Sequence, residues 1–239
     1  MRYLAIVSYD GSAYQGFQKQ INGLGIQEII EKAFGSMTQK TISIFGAGRT
    51  DKGVHALAQT FHFESDLNLE ISDWMRVNDR LPLDIRIKKI KKVKSDFHAR
   101  HSAKSKIYKY VIAKKPSTAF TSNYEVFIRN FDIAKIEEAI TYFEGTHDFK
   151  GFCQYVKDKP TIKTIYKVSI KETKNHYVLF FHGNSFLRYM VRSMVGTLIQ
   201  IGIGRKEPSV INEIFETQDR SLAGKTAEAR GLFLVKIYY

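Results

Sequence analysis

A glycine-rich loop between two predicted strands carries the residues best suited to chemistry. Residues 46–56 read GAGRTDKGVHA, so that Arg49, Thr50 and Asp51 stand together among three glycines. Glycine lets a backbone turn sharply or approach a ligand closely. The spacing does not fit phosphate motifs, because a dinucleotide fingerprint requires glycine where Asp51 stands and a P-loop requires Lys and Ser or Thr where this loop has Val and His. The alternatives are a ligand-binding loop without a phosphate signature and a simple turn whose Asp51 accepts bonds from backbone amides.

The cysteines and histidines argue against a metal centre. Cys153 is the only cysteine, which excludes an internal disulfide and a thiolate-rich metal site. The only close pair among the seven histidines is His98 and His101, and its neighbours are basic rather than acidic. The longest apolar stretches fall short of the ~18–20 residues that a membrane span requires. We therefore expect no metal, no membrane contact and, without a signal-peptide core at the N-terminus, a cytoplasmic protein.

Positive charge is concentrated in one stretch of the chain. The 239 residues contain 37 Lys and Arg against 24 Asp and Glu, a net charge of +13. Between residues 85 and 115, twelve basic residues stand against one acid, so this stretch accounts for +11 of that charge. Such a block predicts a docking surface for a polyanion, with a solvated lysine-rich face as the alternative.

Further constrained segments follow one another along nearly the whole chain. They read YDGSAYQGFQKQ (9–20), VNDRLPLDI (77–85), FHARHSAKSKIYKYVI (97–112), GTHDFKGF (145–152), GNSFLRYMVRSMVGTLIQIG (183–202) and GLFLVKIYY (231–239). Together with the glycine-rich loop they resemble the TruA family of RNA pseudouridine synthases, whose signature around the catalytic aspartate reads GxGRTDxGVHA. The loop matches every fixed position of that signature, with Lys52 at the variable one.

The resemblance implies a reaction that turns uridine into pseudouridine. The bond between ribose C1′ and N1 breaks, the base turns, and a bond to C5 forms. Because no redox step occurs, the resemblance implies no cofactor and no metal. It does imply a carboxylate, acting as a nucleophile on the base or ribose or as a base that removes a ribose proton, and Asp51 stands at that position.

The resemblance assigns roles to other positions as well. Arg192 matches the arginine of the family's MVR segment and would keep a desolvated Asp51 ionised, with a surface helix arginine as the alternative. Arg49 matches the family arginine two residues before the aspartate, which would insert into the RNA and take the place of the flipped base. Tyr108 would stack on that base, unless it is ordinary core. Phe186 and Leu187 would wall the pocket, with helix core as the competing interpretation.

The implied partner is a structured RNA. Most members act on uridines near positions 38–40 of the tRNA anticodon stem-loop, ribosomal RNA is the alternative within the family, and a symmetric homodimer is implied. The basic block would then meet RNA phosphates through salt-sensitive contacts. The residues expected to bind RNA are Arg86, Lys88, Lys89, Lys91, Lys92, Arg100, Lys104 and Lys106.

Two other functions remain as hypotheses. A catalytically idle RNA-binding or chaperone protein on the same scaffold is disfavoured by the matches at Arg49, Asp51, Tyr108 and Arg192. A nucleotide-binding enzyme is disfavoured by the failed phosphate motifs. One departure from the family lies at residues 226–230, which read TAEAR where members usually have Ala-Pro ahead of the final Gly-Leu.

Hydrophobic periodicity predicts the elements that position these residues. Apolar spacing predicts four helices, the first of which begins near Ile26. The second follows a cap at Asp132 and ends before Gly145. The third covers 185–201, with Phe186 and Leu187 buried, and the fourth covers 207–215, with Pro208 in its first turn. The strands are expected at 2–9, 41–45, 55–63, 84–94 with a bulge after Lys89, 107–113, 162–170, 176–182 and 232–239.

Hairpin-like strands with few helices predict an α+β fold of mainly antiparallel sheet. We expect two lobes, an N-terminal one over 1–105 that carries the glycine-rich loop and a C-terminal one over 106–239. The resemblance places the active cleft between them.

Overall fold

The computed structural model describes residues 1–21 and 23–239 and has the predicted α+β composition with a mostly antiparallel sheet. The chain forms two compact units, Met1–Lys104 with Phe233–Tyr239, and Ser105–Leu232. The end of the chain is thus grouped with the first unit, while the expected lobes 1–105 and 106–239 stay a prediction of domain organisation. Among the described residues, no helix is both long and apolar enough to cross a membrane.

The first unit is a sheet with helices packed on one face. Its strands follow the order β4-β1-β3-β10, with the short β2 paired to β3. All of these pairs whose register is defined are antiparallel except β3 with β10. The strands are β1 (Arg2–Tyr9), β2 (Ile44–Gly46), β3 (His55–Glu64), β4 (Ile85–Val93) and β10 (Leu232–Tyr238), and the helices are α1 (Ile26–Thr38), α2 (Ile71–Met75) and a 3-10 turn (Arg76–Arg80).

An aromatic cluster forms the core of this unit. Phe63 stacks on Tyr3 with ring centroids 5.1 Å apart and meets Phe34 of α1 at 4.9 Å and Trp74 of α2 at 5.1 Å. All four rings are fully buried. The apolar stripe of α1 is therefore the face that packs on the sheet, as its spacing predicts, although Ile29 at the margin of the stripe is only half-buried.

A bulge interrupts β4, one residue earlier than predicted. Ile6 of β1 pairs with Lys89 and Val7 pairs with Ile87, which leaves Lys88 without a partner in the ladder. The extra residue keeps Ile87 and Ile90 on the same buried face. The change in the spacing of buried residues between Ile87 and Ile90 therefore correctly predicts a bulge, and only the predicted position of that bulge was wrong.

The second unit repeats this style with an antiparallel sheet in the order β5-β9-β8-β7 and a short parallel β6 beside β5. Its strands are β5 (Ser105–Ala113), β6 (Val126–Phe127), β7 (Gly145–Asp148), β8 (Ile162–Glu172) and β9 (His176–Gly183). Its α-helices are α3 (Ile133–Ala139), α4 (Met190–Gly202) and α5 (Val210–Thr217), and its 3-10 turns are Ile140–Phe143, Phe149–Phe152 and Ala229–Gly231.

The cap of α3 is confirmed, whereas the predicted starts of β2 and α5 were wrong. The Asp132 carboxylate accepts hydrogen bonds from the amides of Ala134 and Lys135 at the start of α3. The strand predicted at 41–45 begins only at Ile44. The helix predicted from residue 207 begins at Val210, so that Pro208 precedes it instead of standing in its first turn.

The largest correction concerns the helix predicted from residue 185, which begins at Met190. Asn184 continues the extended chain, because its amide donates to the Thr164 carbonyl at 3.0 Å. The Arg188 carbonyl accepts from the Gln154 amide at 3.0 Å, and Tyr189 has a left-handed φ of 63°. Residues 184–189 therefore form a loop that is bonded to β8 and to residue 154 before the helix begins.

Candidate active site

Residues 47–54 form a tight loop that connects β2 to β3. The Val54 amide donates to the Asp51 carbonyl at 3.1 Å, and Gly53 turns the chain with a φ of +75° that favours glycine. Within the loop the Arg49 side chain is exposed, Thr50 is buried and Asp51 is half-buried. The loop thus presents a cation and a carboxylate on either side of a buried threonine.

The segment at residues 9–20 packs closely against this loop. A Cβ on Gly16 would lie 2.4 Å from the Thr50 carbonyl oxygen, and one on Gly11 would lie 2.1 Å from that of Val54. The Phe17 amide donates to the Thr50 carbonyl at 3.3 Å. These two glycines allow the backbone of the YDGSAYQGFQKQ segment to pack directly against the backbone of the loop.

Buried polar side chains also hold the loop, and the sequence interpretation missed them. The Tyr9 hydroxyl is 2.8 Å from the Thr50 hydroxyl, and Gln59 Nε2 donates to the Gly48 carbonyl at 3.0 Å. Burial raises the pKa of Tyr9 well above its usual range, so its hydroxyl stays protonated. The signal available in the sequence was the change from the apolar residues 56–58 of β3 to the polar Gln59.

In the second unit, two of the expected pocket residues meet. Tyr108 on β5 is nine-tenths buried, and its ring meets that of Phe186 edge to face at 5.1 Å. Phe186 and Leu187 lie in the loop before α4 and are half-buried. The alternative that Phe186 and Leu187 belong to the core of the helix is excluded, because both residues precede α4.

Arg192 lies in the first turn of α4 and is bound to a facing segment of chain. Its Nε donates to the Ala227 carbonyl at 2.7 Å, and its own carbonyl accepts from the Ala227 amide at 2.9 Å. Its guanidinium also lies 5.4 Å from the centre of the Tyr189 ring. Arg192 is therefore half-buried and fixed, whereas Arg188 precedes the helix and is exposed.

The segment that faces Arg192 is 224–228, where the chain departs from the family. A Cβ on Gly196 of α4 would lie 1.9 Å from the Lys225 carbonyl oxygen, so helix and segment are in backbone contact. The Tyr110 hydroxyl donates to the Glu228 carbonyl at 2.9 Å. Glu228 has φ −58° and ψ 141°, which is a backbone conformation that proline adopts. The family's Ala-Pro would fall at residues 227 and 228, so this chain keeps a backbone conformation of proline at residue 228 without the proline.

The half-buried Arg220 also holds the same segment. Arg220 donates to the Gly224 carbonyl at 3.3 Å, to the Ser193 hydroxyl at 3.1 Å and to the Thr226 hydroxyl at 3.0 Å. No pattern in the sequence singled out Arg220. It ties the segment to the buried face of α4.

The residues of the basic block occupy different environments. Arg86 donates through one nitrogen to the carbonyls of Leu81 at 3.2 Å and Pro82 at 2.5 Å, and so stabilises its own turn. Lys88 donates to the Leu57 carbonyl at 3.3 Å but is exposed. The other exposed members are Lys89, Lys91 and Lys92 on β4 and Arg100 and Lys104 after it, while Lys106 on β5 is half-buried.

Comparison with known proteins agrees with these motifs. The family model described as tRNA pseudouridine synthase matches residues 5–102 and 139–239, and the chain belongs to that family. A tRNA pseudouridine synthase A of the Aster yellows witches'-broom phytoplasma is 42% identical over 99% of this chain and 98% of the relative. Proteins of that name from Phytoplasma mali and Exiguobacterium sibiricum are 43% and 37% identical, over 99% and 100% of this chain and 98% and 96% of their own lengths.

Proposed function

We propose that this protein converts uridine to pseudouridine in tRNA, at positions 38–40 of the anticodon stem-loop. The observation that carries the proposal is the GAGRTDKGVHA loop, which holds a half-buried Asp51 beside an exposed Arg49 in a member of the tRNA pseudouridine synthase family. The names of the curated relatives at 37–43% identity over nearly their whole length support tRNA as the substrate.

In this proposal Asp51 is the catalytic carboxylate and Arg192 is the cation that keeps it ionised. A carboxylate moved out of water shifts toward its neutral acid unless a positive charge lies nearby. The Arg192 guanidinium is suited to this role, because its bond to the Ala227 carbonyl leaves its direction little freedom. Either a covalent attack or a proton abstraction by Asp51 requires the ionised form.

The remaining site residues handle the base. Arg49, exposed at the tip of the loop, enters the helix of the RNA as the target base leaves it. Tyr108 stacks on the uracil, and Phe186 and Leu187 wall the pocket. The edge-to-face contact of Phe186 supports this, because it fixes the plane of the Tyr108 ring before RNA binds.

The basic block binds RNA phosphates, and the protein acts as a cytoplasmic homodimer on this proposal. The exposed lysines of β4 support the phosphate role, and the family resemblance supports the dimer.

Replacing Lys88, Lys89, Lys91 and Lys92 by Ala should weaken tRNA binding and reduce the slope of log affinity against log salt by up to ~0.9 per lost contact. The matched control replaces the exposed lysines 157, 159, 171 and 174, which removes the same charge from the second unit. An equal slope in both quadruple variants would assign the β4 lysines to a solvated face.

The experiment that tests the substrate compares two RNAs. The purified protein is incubated separately with unmodified tRNA transcript and with ribosomal RNA, without added metal or cofactor, and pseudouridine is mapped in each. Product on the 3′ side of the anticodon stem-loop is the expected result. Product only in ribosomal RNA would overturn the tRNA assignment, and product in neither would favour the idle RNA-binding protein.

A further inference from the structure

Two buried polar side chains under the catalytic loop have no place in the reaction described above. Tyr9 is 4% exposed and Gln59 is fully buried. They lie on the paired strands β1 and β3, where Val7 faces Gln59 and Tyr9 faces Ala56. The register shifts between these two pairs, and such a bulge turns a side chain away from the regular alternation.

The two side chains bind the loop on the two sides of Arg49. Gln59 Nε2 donates to the carbonyl of Gly48, the residue before Arg49, at 3.0 Å. The Tyr9 hydroxyl lies 2.8 Å from the hydroxyl of Thr50, the residue after Arg49. We refer to these four residues, Tyr9, Gly48, Thr50 and Gln59, as the network beneath Arg49.

Packing alone does not account for this network. An apolar side chain of similar volume would fill the space of Gln59 without requiring partners, whereas a buried amide must be hydrogen-bonded to be tolerated. Gln59 meets that requirement at both ends, since its Oε1 accepts from the Thr60 amide at 3.0 Å. Its partners at the other end belong to the loop that carries Arg49 and Asp51.

We propose that Tyr9 and Gln59 are positioning residues for the pseudouridine synthase reaction, which hold the loop on both sides of Arg49 and thereby fix Arg49 and Asp51 in their productive geometry. The inference rests on the proposed function. Neither side chain touches the RNA. Both act through the Gly48 carbonyl and the Thr50 hydroxyl, and a misplacement of ~1 Å in a reacting group lowers a rate by about 100-fold.

Tyr9→Phe tests this with the loss of one oxygen atom. The matched control is Tyr3→Phe, which removes a hydroxyl from the same strand, where the only hydrogen-bond partner among the described residues is Met1 Sδ at 3.8 Å. We expect Tyr9→Phe to lower the single-turnover rate on saturating tRNA by about 10- to 100-fold while the Kd for tRNA stays within about twofold. Tyr3→Phe should retain the rate, and both variants should show similar thermal unfolding midpoints.

A second pair of variants tests the mechanism within the network. Thr50→Ser keeps the hydroxyl and should retain most of the rate, whereas Thr50→Val removes it and should resemble Tyr9→Phe. Because the two hydroxyls form a single bond, the double variant Tyr9→Phe with Thr50→Val should lose no more than about twice the larger single loss. Multiplying losses would overturn the network as the cause.

The outcomes distinguish this inference from the proposed function. Wild type and Tyr3→Phe without any pseudouridine product would overturn the proposed function and the inference with it. Active wild type with Tyr9→Phe equally active would overturn the inference alone. A rate loss in Tyr9→Phe that is matched by an equal loss of folded protein or of tRNA affinity would also overturn it, since a positioning residue acts on the rate of the bound complex.

Discussion

Two regions that carry site residues are built in different ways. The loop with Arg49 and Asp51 in the first unit is hydrogen-bonded to the buried side chains of Tyr9 and Gln59. The first turn of α4 with Arg192 in the second unit is held by the backbone of the facing segment, through two bonds to Ala227. Both regions contain close backbone contacts, but the loop around Arg49 is bonded to side chains of neighbouring strands, whereas Arg192 itself is bonded directly to the facing backbone.

This difference predicts different sensitivities to substitution. The loop should respond to loss of single polar atoms, because a buried donor or acceptor without its partner is unfavourable. The α4 region should respond to added volume, because Gly196 leaves no room for a Cβ beside the Lys225 carbonyl. The following substitutions test that contrast in order of decreasing effect.

Asp51→Asn should cause the largest loss, because it removes the carboxylate charge with almost no change in size. We expect the single-turnover rate to fall by about 10⁴-fold or more, as removal of an essential nucleophile does in other enzymes. The thermal midpoint and the Kd for tRNA should remain those of the wild type, and the exposed Asp96→Asn serves as control. A near wild-type rate would end the catalytic assignment.

Arg192→Ala should lower turnover by about 100-fold, the range seen when one preorganised electrostatic group is lost. Loss of the cation should raise the pKa of Asp51, so the acid limb of the pH–rate profile should move to higher pH. Arg192→Lys keeps the charge but lacks the fork that reaches the Ala227 carbonyl, and it should restore the pH profile more than the rate. A profile unchanged in Arg192→Ala would reject the pairing of the two regions.

Gly196→Ala should destabilise the protein by about 1–3 kcal/mol, since the new methyl group would meet backbone that cannot move aside. Gly35→Ala on α1 is the matched control, because its Cβ would have only the Lys40 carbonyl oxygen within reach, at an ordinary 3.6 Å. That change should instead stabilise the protein by about 0.5–1 kcal/mol. Urea unfolding of both variants measures the difference, and equal signs would show that backbone contact does not position Arg192.

Glu228→Pro should have the smallest effect and should be favourable. The backbone at Glu228 already has the φ of proline, so the substitution restricts mainly the unfolded chain and should add about 0.4–1 kcal/mol to the free energy of unfolding. Glu228→Ala is the control, because it removes only the exposed ion pair with Arg230 at 2.8 Å and should change stability by under about 0.5 kcal/mol. Turnover should be retained in both. A destabilised Glu228→Pro would show that the segment needs the Glu228 side chain or amide.

Local patterns in the sequence were sufficient for most elements. A short apolar run located β1 at residues 2–9, the apolar spacing after Ile26 located α1, and Asp132 marked the start of α3. The same patterns failed at 185–189, where Phe186, Leu187 and Met190 have helical spacing but the chain forms a loop. Periodicity reports which residues are buried, and burial in a loop satisfies it as well as burial in a helix.

The sequence by itself determined the family, the order of most strands and helices and the positions of Asp51, Arg49, Tyr108 and Arg192, because these depend on residue types at fixed spacing. The short elements α2, β6 and β7 were not predicted. Only the tertiary structure decided what holds them. Tyr9 is 41 residues from Thr50, Ala227 is 35 from Arg192 and Gln59 is 11 from Gly48. A polar side chain can bond any backbone group brought within 3 Å or so, and which group that is depends on how distant strands and segments pack together.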